Sequence, residues 1–559
     1  MLVLFSLAVL AASARGNLLS NPSFESGSSF PPNDWDQYGS GSFVWQTGGA
    51  RTGSKCMNLG GSSFAMMYQR VPAIPGRTYT LSAWAKLNSG AGDATLKLEF
   101  HDATPTEIIQ YWLPFTAPAD WTEFTITRTA LPEVAYVTAS IVGEPGGTVL
   151  FDDIAIYPDS IFTADITRDH NVDIDDARIL AQNWLNNSCA PYQWCSRADI
   201  NRSGTADYAD LTVMAQNWQK LLPNILGVTH VDGQYYFGTE DFLNEGTDRL
   251  LTLGTKVIKV WFTTLASSYP WNSTWPTMNS LLEQAQSPYF VELFAKPFTT
   301  FILEAHSTKS SFGDGMTQQE MQDEQQEFYD LTSYLLDTYQ DTGKTFVLQH
   351  WEGDWLIRGH YDANIDPTPT AIGGMIDWLN ARQAGVDQAR QEFTGQGVNV
   401  YNAAEVNIVV KSMNEGRTNV VNAVLPYTSL DMVSYSAWDS TLGYIGQPDV
   451  FRDALDFIAT NMPDSPAFGD KNVYLGEYGI PNNEYSAYQI RQSISDITHT
   501  ALRWGCPYVV YWQLYCNELA SGGGPAPVSE NWEVRGFWLV KPDGSYAWTW
   551  DYFDMLLNP

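Results

Sequence analysis

Val473-Tyr474-Leu475-Gly476-Glu477-Tyr478-Gly479 decides how the C-terminal part of this 559-residue chain is read. It is a strand-type run that ends in a glutamate flanked by aromatic residues. Seven further apolar, β-branched or aromatic runs can be counted between residues 223 and 559, with helical stretches or long loops between them. They are Ile225–His230, Val257–Phe262, Thr300–His306, Thr345–Glu352, Val406–Lys411, Met432–Tyr435 and Tyr508–Trp512. Helical spacing is clearest over Gln325–Gln340, Gly374–Phe393 and Asp449–Asn461. Eight strands alternating with helices in a block of this size predict a (β/α)8 TIM barrel. Another doubly wound α/β sheet is the alternative. The barrel is preferred because polar and aromatic residues gather at the C-terminal ends of the runs, where barrel active sites sit.

The fourth run also ends in a glutamate beside aromatics, Phe346-Val-Leu-Gln349-His350-Trp351-Glu352-Gly353-Asp354-Trp355. Cleavage of a glycosidic bond with retention needs two carboxyl groups about 5 Å apart, one protonated and one ionised. The tops of strands four and seven lie on either side of a barrel mouth, so Glu352 and Glu477 could face each other across a sugar. Trp351 should raise the proton affinity of Glu352 and keep it an acid near neutral pH. Tyr478 or Tyr435 could hydrogen-bond and orient an ionised Glu477.

This pattern resembles the large clan of retaining glycoside hydrolases with an acid/base Glu after strand four and a nucleophile Glu after strand seven. The resemblance implies sugar-contacting roles for His306 after strand three, Tyr435 on strand six and Trp512 on strand eight. Trp261, ending the second run, joins them as a substrate-binding candidate. The clan usually has Asn immediately before the acid, and this chain has Trp351 there, itself a candidate sugar contact. An Asn-Glu pair does occur at Asn414-Glu415. Taking Glu415 as the acid would require one of the first four runs to be dropped, so Glu352 is kept and Glu415 is read as substrate-binding.

Residues 161–222 carry a duplicated acidic motif. Asp165, Thr167, Asp169, Asp173 and Asp176 precede Ala181-Gln-Asn-Trp184, and Asp199, Asn201, Ser203, Asp207 and Asp210 precede Ala215-Gln-Asn-Trp218. Counted from the first Asp, the oxygen-bearing side chains fall at positions 1, 3, 5, 9 and 12, the spacing of a calcium loop. Apolar residues at helical spacing follow each loop. An acidic helix-turn-helix without metal would also fit one such loop, but two in register favour calcium. The pair resembles a dockerin module, a small α EF-hand-like unit, which implies structural calcium and a cohesin-type scaffold partner. Cys189 and Cys195 flank a turn between the loops and could close a disulfide in an oxidising compartment. The pairing of Cys56, Cys506 and Cys516 is open.

Residues 17–160 alternate in short runs such as Thr78–Trp84 and Ala94–Phe100, separated by Gly, Pro and Asn turns, and read as an all-β sandwich. Asn17-Leu-Leu-Ser-Asn-Pro-Ser-Phe24-Glu25, Pro75–Tyr79 and Phe151-Asp-Asp153-Ile resemble jelly-roll carbohydrate-binding modules. The resemblance implies a calcium shared by Glu25 and Asp153. Trp45, Tyr68, Trp112 and Trp121 are candidates for stacking on sugar rings, with core packing as the competing role.

Residues 1–16 read as a secretory signal peptide, which implies a secreted protein. No later segment offers eighteen consecutive apolar residues, so no membrane span is expected. The net charge of −33 disfavours nucleic acid and anionic membranes as partners. The leading expectation is a secreted polysaccharide-cleaving glycoside hydrolase. The alternatives are a non-catalytic glycan-binding scaffold and, with little support from only 30 Lys plus Arg, a polysaccharide lyase.

Overall fold

The computed structural model describes residues 17–558 except 163, 168–171, 190–194, 201–202, 219, 263–264 and 308–310. The expected signal peptide, Asp169 and Asn201 lie outside the described residues. The chain divides into two compact units, Met1–Gln219 and Lys220–Pro559. Among the described residues, no helix is long and apolar enough to cross a membrane.

Ten strands form the N-terminal sandwich: β1 (Asp36–Gly39), β2 (Ser42–Thr47), β3 (Lys55–Gly61), β4 (Ala65–Pro72), β5 (Thr78–Gly90), β6 (Asp93–His101), β7 (Glu107–Thr116), β8 (Thr122–Thr129), β9 (Tyr136–Gly143) and β10 (Gly147–Asp159). They pair into two five-stranded sheets, ordered β1-β4-β9-β6-β7 and β2-β3-β10-β5-β8. Period-two alternation sets the two faces. Leu96, Leu98 and Phe100 of β6 and Val137, Ala139 and Ile141 of β9 are buried in the core. Lys97, Glu99, Thr138 and Ser140 between them face the other way.

Two nine-residue helices, Ile174–Gln182 and Tyr208–Gln216, follow in the same unit. Each opens on a capping box, Asp173 with Asp176 and Asp207 with Asp210, so the two halves of the repeat fold alike. Cys189 and Cys195 form a disulfide, and Cys56, Cys506 and Cys516 are buried thiols. Arg197 pairs with Asp159 at the end of β10, tying this segment to the sandwich.

In the second unit, β11 (Leu226–His230), β12 (Val257–Trp261), β13 (Thr300–Glu304), β14 (Lys344–Gln349), β15 (Val398–Val406), β16 (Met432–Ser436), β17 (Val473–Tyr478) and β18 (Val509–Tyr511) close into a parallel eight-stranded barrel. The expected runs and the strands coincide except at the fifth. Val406–Lys411 is not a strand: β15 ends at Val406, and Val409–Glu415 is a helix. The β-branched Val409 and Val410 pack that helix instead, a case of tertiary burial overriding strand preference. The helices Gln318–Tyr339, Pro369–Glu392 and Pro448–Asn461 contain the three expected ones almost completely.

The barrel interior is layered. Val257, Ile302, Val347, Ala403, Met432, Tyr474 and Val510 form one apolar cluster. Two residues further along the same strands come Lys259, Glu304, Gln349, Glu405, Ser434 and Gly476, facing inward again by the strand period. The polar layer therefore rests directly on an apolar floor. Gly476 is required there by close approach, because a Cβ at that position would lie 1.8 Å from Ser434 Oγ. A break in the register of β17 between Leu475 and Tyr478 follows at once, and it turns Glu477 inward as well. Gly476→Ala should lower stability by about 1–3 kcal/mol through overpacking. Denaturant titration should show that loss partly recovered when Ser434→Ala is added.

Candidate active site and sugar-binding face

The inward polar layer is organised by one cation. Lys259 is fully buried, and its Nζ lies 2.8 Å from Glu477 Oε1, 3.0 Å from Glu405 Oε2 and 3.7 Å from Glu304 Oε2. Gln349 Nε2 donates to Glu304 Oε2 at 3.1 Å and to Glu405 Oε2 at 2.9 Å, and Ser434 Oγ donates to the same Glu405 oxygen at 2.8 Å. The remaining Glu405 oxygen accepts the backbone N–H of Glu352 at 3.0 Å. That bond pins a residue whose backbone stands at φ 22° and ψ 73°, outside the range comfortable for a side chain.

Glu352 and Glu477 meet above this layer. Ser436 Oγ lies 3.3 Å from Glu352 Oε1 and donates to Glu477 Oε2 at 3.0 Å. The sum of those two contacts caps the gap between the bound oxygens below the roughly 6.5–9.5 Å of inverting glycosidases. It is compatible with the about 5–5.5 Å of retaining ones. The Trp438 indole N–H donates to the same Glu477 oxygen at 3.1 Å. Trp512 packs edge-on against both Trp261 and Trp438, so the indole that touches Glu477 belongs to a cluster of three.

The proton affinities diverge. Burial, then the charges of Glu477 and Glu405, push Glu352 up to about 9. Burial also raises Glu477, opposed by the ammonium of Lys259. Burial raises Glu304 well above the carboxylate range, and its Oε1 has no hydrogen-bond partner among the described residues. Burial acts on Glu405 too, but Lys259 and the N–H of Glu352 outweigh it and hold Glu405 below its ordinary value. One cation among several carboxylates thus leaves some ionised and others protonated.

The expected residues divide accordingly. Glu352, Glu477, Trp261 and Trp512 come together, with the half-buried Trp351 adjoining Glu352. His306 lies apart from the carboxylates, exposed and beside the Trp378 ring. Tyr435 and Tyr478 do not touch Glu477, because strand alternation turns both toward the helical layer. The Tyr435 hydroxyl donates to Asp439 at 2.6 Å, and the Tyr478 hydroxyl pairs with Thr498. Glu415 ends the helix after β15, where it is exposed and paired with Lys411 and Arg417. The Asn414-Glu415 pair that suggests a sugar contact in the sequence therefore lies on an exposed helix end. Glu405 lies one residue before the expected fifth run, on the strand Val398–Val406, and is a site residue that the sequence reading does not include. Lys259 was legible as a cation inside the apolar Val-Ile-Lys-Val-Trp strand, a placement that demands buried partners.

In the N-terminal unit, paired registers across the sheet β1-β4-β9-β6-β7 align Asp36, Tyr68, Ser140, Lys97 and Trp112 in one row on its outer face. Trp112 is 51 % exposed, and Lys97 Nζ stands 4.9 Å from its ring centroid. Beneath, Glu99 accepts from Lys97 and from Ser140, both at 2.8 Å. Aromatic faces beside fixed charged and hydroxyl groups are what sugar rings need. Trp45 belongs to the other sheet, where its N–H donates to Phe24 O and Lys55 covers its ring. Trp121 also lies on that sheet's side, directly before β8.

Glu25 and Asp153, expected to share calcium, both hydrogen-bond to the segment 51–55. Glu25 accepts from Ser54 and Lys55, while Asp153 accepts from Ser23 and Thr52 and pairs with Arg51. In the repeat, Asp165, Asp176, Asp199 and Asp210 are buried. Asp176 accepts from Thr167 N and Asp173 N, and Asp210 from Asp207 N, while Asp199 accepts from Ser203 N and Gly204 N. Asp173 and Asp207 serve as helix N-caps. Among the described residues, no group of three His, Cys, Asp or Glu side chains converges as a metal site.

Residues 16–133 match the family model described as "Carbohydrate binding domain". The N-terminal domain is of the CBM4/CBM9 type and binds carbohydrate. No curated protein matches the chain. Similar solved structures include TmCBM61 in complex with beta-1,4-galactotriose, at 21% identity and TM-score 0.20, covering 26% of this chain and 99% of that one. The CBM22-1 xylan-binding domain from Paenibacillus barcinonensis is 16% identical, with TM-score 0.22, and covers 26% of this chain and 96% of that one. The enzymatically active domain of tailspike protein 4 of Bacteriophage CBA120 is 16% identical, with TM-score 0.23. There the match covers 26% of this chain, and the chain spans 21% of that protein.

Trp112→Ala and Tyr68→Ala should each weaken oligosaccharide binding by the N-terminal domain roughly tenfold, about 1.4 kcal/mol. Isothermal titration of the full chain checks this, with circular dichroism to show an unchanged fold.

Proposed function

We propose that this chain is a secreted glycoside hydrolase that cleaves a polysaccharide with retention, using Glu477 as nucleophile and Glu352 as acid/base. The observation that carries the reading is the single hydroxyl of Ser436 within 3.3 Å of both carboxylates. A hydroxyl has one proton to give. With that proton directed to an ionised Glu477, its contact with Glu352 is best satisfied by a protonated Glu352 donating back. The pair is then set as double displacement requires. Glu477 attacks the anomeric carbon while Glu352 gives its proton to the leaving oxygen, and Glu352, now ionised, later takes a proton from the incoming water. Lys259, Trp438 and Ser436 stabilise the charge on Glu477 before attack. The disulfide of Cys189 and Cys195 agrees with export to an oxidising compartment. The alternative, a glycan-binding scaffold without turnover, draws on the carbohydrate-binding domain alone and predicts no new reducing ends.

Glu352 must be protonated and Glu477 ionised, so kcat/KM should fall as pH rises through the Glu352 value near 9. That alkaline limb should vanish in Glu352→Ala when an activated aryl glycoside, which needs no acid, is the substrate. Azide should accelerate the same variant. Glu477→Gln should lower turnover by at least about 10⁴-fold and leave binding by the N-terminal domain intact, as reducing-end assay and titration would show.

We further propose that the duplicated loops hold structural calcium. Two carboxylates of each loop, at positions 1 and 12, are buried, and a divalent cation would offset the large desolvation penalty they carry. Ile174 and Tyr208, at equivalent helix positions, stay 71 % and 73 % exposed, as a surface for a cohesin-type partner would require. Calcium should raise the melting temperature of this unit and EDTA should lower it. In Asp176→Asn combined with Asp210→Asn, calorimetry should find no calcium response.

A further inference from the structure

A cavity opens among the loops at the C-terminal end of the barrel. It has a volume of about 610 Å³ and is lined by Asn483, Glu484, Ala520, Ser521, Trp532, Val534 and Arg535. These residues come from the loops that follow β17 and β18, on the side of the barrel where Glu477 sits. The link to Glu477 is short. Phe537, two residues after Arg535, packs against the Trp438 ring at 5.5 Å between centroids, and Trp438 donates to Glu477.

Trp532 is 61 % exposed, so its ring face is open to a ligand. The chain nevertheless fixes it firmly. It occupies a single helical turn, Asn531–Glu533, and the Glu533 carboxylate gathers the backbone N–H groups of Gly524, Ser529 and Glu530. Asn483 Nδ2 reaches across from the other loop to the carbonyls of Asn531 and Val534, at 2.7 and 2.6 Å. Gly523 lets the two chains close, since a Cβ there would meet Glu533 O at 2.3 Å. A rigid, exposed indole loses little entropy when a flat apolar ring face settles on it.

The polar rim sets the ligand's charge. Arg535 is shared between Glu484, at 2.6 Å, and Glu518, at 2.5 Å. One cation between two carboxylates leaves this edge net negative, and its guanidinium is already engaged. Such an edge accepts hydroxyl protons and repels carboxylated or sulfated sugars. We infer that this cavity is a remote subsite for a neutral sugar unit of the same polysaccharide chain, with Trp532 as its stacking platform and the Glu484–Arg535–Glu518 edge as its hydroxyl-binding side. The inference rests on the hydrolase reading and adds to it the substrate class, a neutral chain long enough to span from Glu477 to Trp532.

The test compares full-length wild type, Trp532→Ala and Trp532→Phe on an aryl monosaccharide and on a series of neutral oligosaccharides of increasing length. Trp532→Ala should lower kcat/KM about tenfold on the longer chains, mostly through KM, and leave the aryl monosaccharide unchanged. Trp532→Phe should keep most of the wild-type rate. If Trp532→Ala matches wild type at every length, or loses equally on the monosaccharide, the subsite is overturned while the hydrolase reading stands. If oligouronates are cleaved faster than neutral chains of equal length, the ligand class is overturned. Wild type that cleaves no substrate of either kind would end the hydrolase reading, and the subsite's role in turnover with it.

Discussion

A lysine inside a barrel is the constraint on which the second unit depends. Lys259 is removed from water, and the only groups that can make its charge tolerable there are carboxylates. Three strands supply them, from Glu304, Glu405 and Glu477. Glu405 and Glu477, the two nearest, carry most of the compensation. A larger ionised set would leave uncompensated negative charge, so the excess is absorbed as protons on Glu304 and Glu352. The division of the carboxylates into ionised and protonated members follows from counting charges in a closed space.

That count also explains why the site stands where it does. The layer beneath Lys259 is apolar on every strand contributing to it, and the layer above carries Glu352, Ser436, Glu477 and the three indoles. The network therefore has apolar packing on its N-terminal side. Glu405 links the two levels. One oxygen meets Lys259, Gln349 and Ser434, and the other accepts the Glu352 N–H, so the ion pair below and the strained backbone above are held by one carboxylate. On the proposed reading, Glu405 positions the acid without touching substrate.

Much of this is legible in the sequence. Seven of eight barrel strands, the three long helices, the carboxylates on strands four and seven and the disulfide follow from periodicity and spacing. The fifth strand was not legible, for a physical reason. Val398-Asn-Val-Tyr-Asn-Ala-Ala-Glu-Val406 mixes Asn and Glu into a buried strand, while Val409 and Val410 just beyond look more strand-like and fold as helix. Local preference points the wrong way wherever a strand must deliver polar groups to a core. The tyrosines show a related limit. Tyr435 and Tyr478 neighbour Ser436 and Glu477 in sequence, but the pleat sends adjacent residues to opposite faces. Proximity along a strand is evidence against shared chemistry unless a bulge intervenes, as it does at Glu477.

The sandwich face and the barrel cavity share one physical feature, exposed aromatic rings beside balanced charge. On the sandwich, alternation leaves Trp112 and Tyr68 on an open face with Lys97 and Glu99 paired between the strands, so charge is present but already balanced. Around the barrel cavity, Trp532 stands beside Arg535 held between two carboxylates. In neither place is a free cation offered to an anion, which agrees with a chain of net charge −33. An aromatic face attracts the C–H side of a sugar, and a balanced ion pair offers both a donor and an acceptor to its hydroxyls at small electrostatic bias. A surface built this way discriminates by ring geometry and hydroxyl orientation rather than by charge. On the proposed reading, each surface taken by itself suits a neutral polysaccharide better than a charged one.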